Sequence, residues 1–365
     1  IDDFDNDPNE TTDTDGDGIG NNADEDDDGD TRSDFLEALL GSDPLVADGG
    51  IDPALAACLI ENANNNGVTS VDNFFFFDCQ NRGITSLSGI EGMYQLRFIG
   101  VAENQIESIT PISGLPFLNN FNAWSNNISV IPPLPATLNG LALDNNNISD
   151  ITEIGNISGL TFLNIGQNLI TDISPLLSHT GMQNLYLFGN FLDDTAAPVI
   201  ESFSQLNDLN IDGNQFTVLP AISSTLTGLR ATFNRITDAS SLAALNQLTY
   251  LNIEGNQLTS LPDLSGMTNL GNLWAFDNQL TALPPLPASL TFIEVRNNRI
   301  EDISALGGLN QLNFLELSNN HVGNEDVTLG SPLLDLTQLG QLFMRNNAVD
   351  NFGDLFAALS TTFID

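Results

Sequence analysis

The chain has 365 residues, enough for about two domains on length alone. Eight basic residues, all arginine, stand against 48 acidic ones, a net charge of −40. That balance excludes nucleic acid and anionic membrane surfaces as partners, since no basic stripe exists to neutralise phosphates, and it suits divalent cations. A hydrophobic fraction of 41% provides a sizeable core, and no run of about 18 apolar residues predicts membrane insertion.

Residues 1–48 hold 18 of the acidic residues and one arginine. Such a segment repels itself unless counter-ions gather on it. The spacing of its acids predicts two calcium loops. In the first, Asp13, Asp15, Asp17, Asn21 and Asp24 fall at loop positions 1, 3, 5, 9 and 12, with glycine at 6 and the Ile19 carbonyl at 7. In the second, Asp26, Asp28, Asp30, Asp34 and Glu37 take the same positions, with the Arg32 carbonyl at 7 and Thr31 where glycine is expected. A register starting at Asp24 would put Phe35, which cannot ligate, at position 12. Asp3, Asp5 and Asp7 are read as part of an additional site. A short helix is predicted from Phe35 to Leu40, stopped by Gly41. The run Asp5–Asp30, with Glu37–Pro44 after it, resembles thrombospondin type 3 repeats of secreted bacterial proteins. That resemblance implies calcium as cofactor and a rigid spacer outside the cell.

Residues 49–73 read as a helical N-terminal cap, with Asp52-Pro53 opening a helix to about Asn62. Cys58 on that helix and Cys79 on the first strand are expected to form a disulfide, the alternative being two buried thiols.

From 74 to 353 the pattern L-x-x-L-x-L-x-x-N-x-L recurs. Its asparagines are Asn104, Asn126, Asn146, Asn168, Asn190, Asn214, Asn234, Asn256, Asn278, Asn298, Asn320 and Asn347, with Arg82 in the same place one turn earlier. Their spacing is 20 to 24 residues until a last interval of 27, which gives about 13 turns. The pattern is that of a leucine-rich repeat solenoid. Each turn gives one short strand of a curved parallel sheet, its apolar residues stack inward, and its asparagine satisfies backbone groups at the strand end. Turns such as Asn168–Leu176 resemble those of internalins. The shorter ones (Pro132–Leu138, Pro220–Leu226, Pro284–Leu290) resemble repeats of secreted bacterial effectors, and the cap resembles those of secreted bacterial repeat proteins. Pro-rich back segments predict a thin convex side of extended and 3₁₀ chain. Residues 354–365 are read as a C-terminal cap or the start of a further repeat, with a short helix over 352–359.

Positions six, four and two before each asparagine alternate with core positions and form the concave face. Aromatic residues collect there: Phe76, Phe98, Trp124, Phe162, Tyr186, Phe188, Tyr250, Trp274, Phe276, Phe292, Phe314 and Phe343. Rows of rings facing solvent mark a contact surface. The two histidines, His179 and His321, fall at unrelated turn positions and are expected at the surface or in loops. No nucleophile–base pair, zinc spacing or phosphate loop is found, so no enzyme is expected. The expected function is that of an extracellular or cell-surface adhesion protein with a protein ligand on the concave face. A glycan ligand, or other copies of the chain in a calcium-dependent filament, are the alternatives.

Overall fold

A computed structural model describes residues 12–30, 32–40, 42–45, 50–323 and 332–349, and the backbone of 363–364. Asp3, Asp5, Asp7 and the helix expected over 352–359 lie outside the described residues. The chain divides into two compact units, Ile1–Ile170 and Thr171–Asp365.

The first unit opens with α1 (Asp34–Leu40) and α2 (Pro53–Asn66), followed by strands β1 (Phe76–Asp78), β2 (Phe98–Gly100), β3 (Asn120–Asn122), β4 (Gly140–Ala142) and β5 (Phe162–Asn164). The second holds β6 (Asn184–Tyr186), α3 (Ala197–Glu201), β7 (Asp208–Asn210), β8 (Gly228–Arg230), β9 (Tyr250–Asn252), β10 (Asn272–Trp274), β11 (Phe292–Glu294), β12 (Phe314–Glu316), β13 (Gln341–Phe343) and β14 (Phe363–Ile364). Within each unit every strand pairs in parallel with the next one in the chain. The architecture is a leucine-rich repeat solenoid.

Its core follows the period. In one turn Ile236, Leu242, Leu245, Leu248, Leu251 and Ile253 all lose their solvent exposure completely. No single turn encloses such a set, so burial comes from stacking. The polar exception is the asparagine. The Asn256 amide donates to the carbonyls of Ala231, Ile253 and Glu254, and its oxygen accepts from the Ile236 N–H at 3.0 Å. Asn104, Asn126, Asn146, Asn168, Asn214, Asn234, Asn278, Asn298, Asn320 and Asn347 likewise reach back to a carbonyl and an N–H of the preceding turn.

The residue before each ladder position has a positive φ in all thirteen turns, from Asn81 to Asn346. Nine of the thirteen are asparagine, aspartate or glycine, at 81, 145, 189, 213, 255, 277, 297, 319 and 346. Phe233, at φ 50°, is the bulkiest departure, and a side chain held there costs about 1–2 kcal/mol.

The back of the solenoid is thin as expected, with one difference. Most 22-residue turns carry a 3₁₀ segment, for example Ser240–Ala244, while the 20-residue Pro-rich turns run extended. The 24-residue turn ending at Asn214 has room for Asp194–Ala196 in 3₁₀ form to run into the true helix α3, with the Asp193 carboxylate accepting from the Thr195 N–H at its start.

The cap helix α2 runs four residues past the expected end, to Asn66, where Gly67 at φ 66° closes it and donates to Ala63 and Asn64. Asp52 caps its start through Ala54 and Leu55, and its second oxygen accepts from the Thr85 N–H and hydroxyl. Asn62 pairs with both backbone groups of Asp78, so the helix covers the edge of β1. The Cys58–Cys79 disulfide is present. Helix α1 buries Leu36, Leu39 and Leu40, and a Cβ added at Gly92 would strike the Leu40 carbonyl, so glycine permits the front segment to dock on the first repeat.

Replacing Asn256 by alanine leaves four backbone groups without their buried partner and is expected to cost roughly 2–4 kcal/mol, read by denaturant unfolding. Replacing both cysteines by alanine frees a closed loop of 21 residues, a loss of about 3 kcal/mol. In a melting experiment the difference between variant and parent should vanish once the parent is reduced.

Candidate functional site: an aromatic face and an acidic front

In the front segment the carboxylates of Asp13, Asp15 and Asp17 bring oxygens within 4.8 Å of one another, and those of Asp26, Asp28 and Asp30 do the same. Gly16 and Gly18, both at positive φ, allow the tight winding of the first loop. Asp13 accepts from the Gly16 and Gly18 N–H groups, Asp15 from Asp17 and Asp17 from Ile19. In the second loop Asp28 accepts from Asp30, and Asp30 from Arg32. The two loops touch. A Cβ at Gly29 would come within 2.6 Å of an Asp15 carboxylate oxygen.

The other expected ligands make contacts of their own. Asn21 closes its loop on Thr14, Asp24 accepts from Asp26 N–H, Asp34 accepts from Asp27 N–H, and Glu37 is fully buried on α1. The donor set fits a hard cation. It is all oxygen, and the second oxygen of Asp28 is buried with no hydrogen-bond partner.

The aromatic positions form the open face of the sheet, but they are less exposed than the sequence suggests. Phe76 is 48% exposed, while Phe276 is buried to 8%. The other ten are half-buried because neighbouring turns cover them. In the second unit the rings of Trp274, Phe292, Phe314 and Phe343 follow one another at 5.1, 4.4 and 5.6 Å between centres, Phe292 and Phe314 lying parallel. Phe276 is covered by the Arg296 guanidinium, 3.9 Å from its ring centre, and Arg296 pairs with Glu294.

Beside this stack lies a cavity of about 570 Å³ between β8, β9 and β10, lined by Asp212, Arg230, Phe233, Tyr250, Glu254 and Trp274 with Thr232, Asn252 and Asn272. Asp208, Gly228 and Tyr250 are in register on adjacent strands. Gly228 leaves the space over which the Tyr250 ring lies, and its hydroxyl donates to Asp208 at 3.0 Å. Burial, followed by the Asp208 charge and hydrogen bond, pushes the Tyr250 phenol up to about 12. Burial also raises the carboxyls of Asp212, Glu254 and Glu294, and of Asp144 on the first unit's face.

The sequence pattern missed Phe233 and misplaced His179. Phe233 is 60% exposed at the cavity rim, from a position just before the ladder asparagine that neither faces the core nor belongs to the strand. His179, expected at the surface, is buried to 1%, because it caps the 3₁₀ segment Ser174–Ser178 with a ring nitrogen 3.1 Å from the Leu176 carbonyl. His321 is exposed in a loop as expected, 3.9 Å from Glu301.

A tyrosine whose folded pKa is raised stabilises the fold below its ordinary value of 10.0 and loses that contribution as pH rises to about 12. Ultraviolet titration should therefore show a phenol ionising near 12 that moves down in Asp208→Asn. The raised Glu254 favours folding in its protonated form, a contribution present in acid and lost as pH rises through the carboxylate range. Glu254→Gln should thus melt higher than the parent at pH 7, the difference shrinking at pH 4.

A family model described as leucine-rich repeats (2 copies) matches residues 224–266. Keratocan of Mus musculus is 26% identical over 247 residues, and the match spans 65% of this chain and 65% of keratocan, under two thirds of that protein's length. Among solved structures, an internalin (inlF) from Listeria monocytogenes superposes with a TM-score of 0.79 at 28% identity, over 86% of this chain and 94% of that one. A leucine-rich repeat protein of Leptospira interrogans gives 0.66 at 24% identity over 78% and 82%, a likeness of fold. The chain is a leucine-rich repeat protein with internalin-like structural neighbours.

Proposed function

We propose that this chain is a non-enzymatic extracellular binding protein of bacterial surface type, which seats a protein partner on the aromatic face of its second unit and uses calcium to order its acidic front. The observation that carries the reading is the row of stacked rings from Trp274 to Phe343 on the open side of the sheet rather than in the core. Stacked rings lose little side-chain entropy when a partner covers them, and solenoid faces present such rows over long distances. The disulfide speaks for an oxidising compartment. No helix among the described residues is long and apolar enough to cross a membrane.

Calcium, as the thrombospondin-like spacing implies, would be held by Asp13, Asp15 and Asp17 with the Ile19 carbonyl, and by Asp26, Asp28 and Asp30 with the Arg32 carbonyl. It would supply the positive charge that lets these carboxylates stand together. Because α1 docks on the first repeat, that order would be passed to the cap.

Three measurements test this reading. Light scattering in millimolar calcium and after chelation should give a monomer near 39.2 kDa in both cases. Large species that dissolve on chelation would favour a filament subunit instead. Capture of extracellular proteins should be lost in Trp274→Ala and kept in Phe191→Ala, whose exposed ring lies off the strand face. Competition by free sugar would replace the protein partner with a glycan. Calorimetry should show saturable calcium binding that weakens at least tenfold in Asp15→Asn. Binding left intact in that variant would remove the loops from the calcium sites.

A further inference from the structure

The cavity between β8, β9 and β10, we infer, receives an arginine side chain of the protein partner, its guanidinium over the Trp274 ring and against the Glu254 carboxylate. The inference rests on the reading of this face as a binding surface and names the chemistry it recognises.

The fold itself supplies the template. On the same face Arg296 covers Phe276 and pairs with Glu294. Arg230 lies 5.6 Å over the Tyr250 ring, whose hydroxyl is held by Asp208. A guanidinium lying on a ring is therefore a contact this surface makes twice with its own residues, in the case of Arg296 with a carboxylate paired to it. Trp274 and Glu254 line the cavity as a third ring and carboxylate, and among the described residues no arginine lies over that indole or pairs with that carboxylate.

Charge points the same way. Asp212 and Glu254 line the cavity with one cation, Arg230, while Arg296, held on Phe276 and paired with Glu294, acts on Glu254 without lining it. Burial disfavours the ionised form of both carboxyls, so a bound cation would relieve a cost already present in the free protein. A neutral sugar would leave that charge uncompensated, and an ammonium would lack the planar face that stacks on the indole.

The rim adds an independent sign. Phe233 keeps a left-handed backbone that glycine takes at the same place in the next turn, and it does so with an exposed ring. The ring packs on that next-turn glycine, Gly255, where a Cβ would come within 2.6 Å of it. Every turn imposes that backbone, but here the residue carrying it puts an aromatic wall at the mouth of the cavity, and such a wall would cover the apolar stem of an entering arginine.

The test uses the full ¹⁵N-labelled chain in calcium, whose two tryptophans give two indole N–H signals, that of Trp274 identified by Trp274→Phe. The probes are a capped Gly/Ser nonapeptide with one central arginine and its lysine and glutamine counterparts. The arginine peptide should shift the Trp274 signal saturably. The lysine peptide should bind more weakly, and the glutamine peptide at least tenfold more weakly. Glu254→Gln should weaken the arginine peptide about tenfold, the loss of one charge-assisted contact, while Glu107→Gln, an exposed carboxylate of the first unit, should not. Equal binding of the arginine and glutamine peptides, or equal loss in Glu107→Gln, would overturn the arginine site, the second by exposing general attraction to an acidic chain. A Trp274 signal unmoved by every peptide would overturn it as well. The Trp274→Ala capture assay decides the binding-face reading separately.

Discussion

One primary amide per turn holds the rest together. A short strand turning back into the solenoid leaves backbone N–H and C=O groups at its end, under cover and away from water. The ladder asparagine meets them with an oxygen that accepts from the turn before and a nitrogen shared among nearby carbonyls, as Asn104 does with Ile84, Cys79, Val101 and Ala102. Given that joint, three-residue strands suffice, and the side chains between joints are free to vary on the open face. Without it, the apolar residues would have no reason to stack in this register rather than merely to collapse.

That constraint also explains what could be read from the amino-acid sequence. A group that must recur every 20 to 24 residues leaves a written period, so the strands, the ladder and the order of turns were legible, and the capping pair Asp52-Pro53 and the two cysteines marked the front of the array. Features that arise between turns were not. The Tyr250–Asp208 hydrogen bond joins residues 42 apart through the space left by Gly228, and only the three-strand register reveals it. Phe276 faces outward in the pattern and is buried all the same, because Arg296 of the next turn lies on it. His179 has no periodic partner, and its burial follows from a local 3₁₀ cap.

The open face and the back of the solenoid treat carboxylates in opposite ways. On the back, Asp150, Asp193, Asp238 and Asp302 each accept from a hydroxyl and an N–H two residues on, which holds them below the ordinary carboxylate range. There Asp193 caps its 3₁₀ turn, while Asp150, Asp238 and Asp302 stand just before the cap and tie the entering chain to the first residue of the turn. On the face, Asp212, Glu254 and Glu294 are desolvated by the rings around them and pushed up. The same acidic group is thus held ionised where a hydroxyl and an N–H meet it in water, and pushed toward its neutral form where burial on the face desolvates it.

The ladder has a direction. Within each unit an asparagine always reaches back, so each turn's buried N–H and C=O groups are completed by the turn that follows it, up to Asn347, which serves Val322 and Leu317. Growth of the chain from its N-terminus therefore never produces a finished end. The newest turn waits, unsaturated, for residues about 20 further on, and each arrival seals its predecessor while opening a fresh edge. Wherever folding of such an array starts, a chain still being made ends in one turn whose buried groups await the next, so its unsaturated edge is a single turn rather than the whole unfinished sheet.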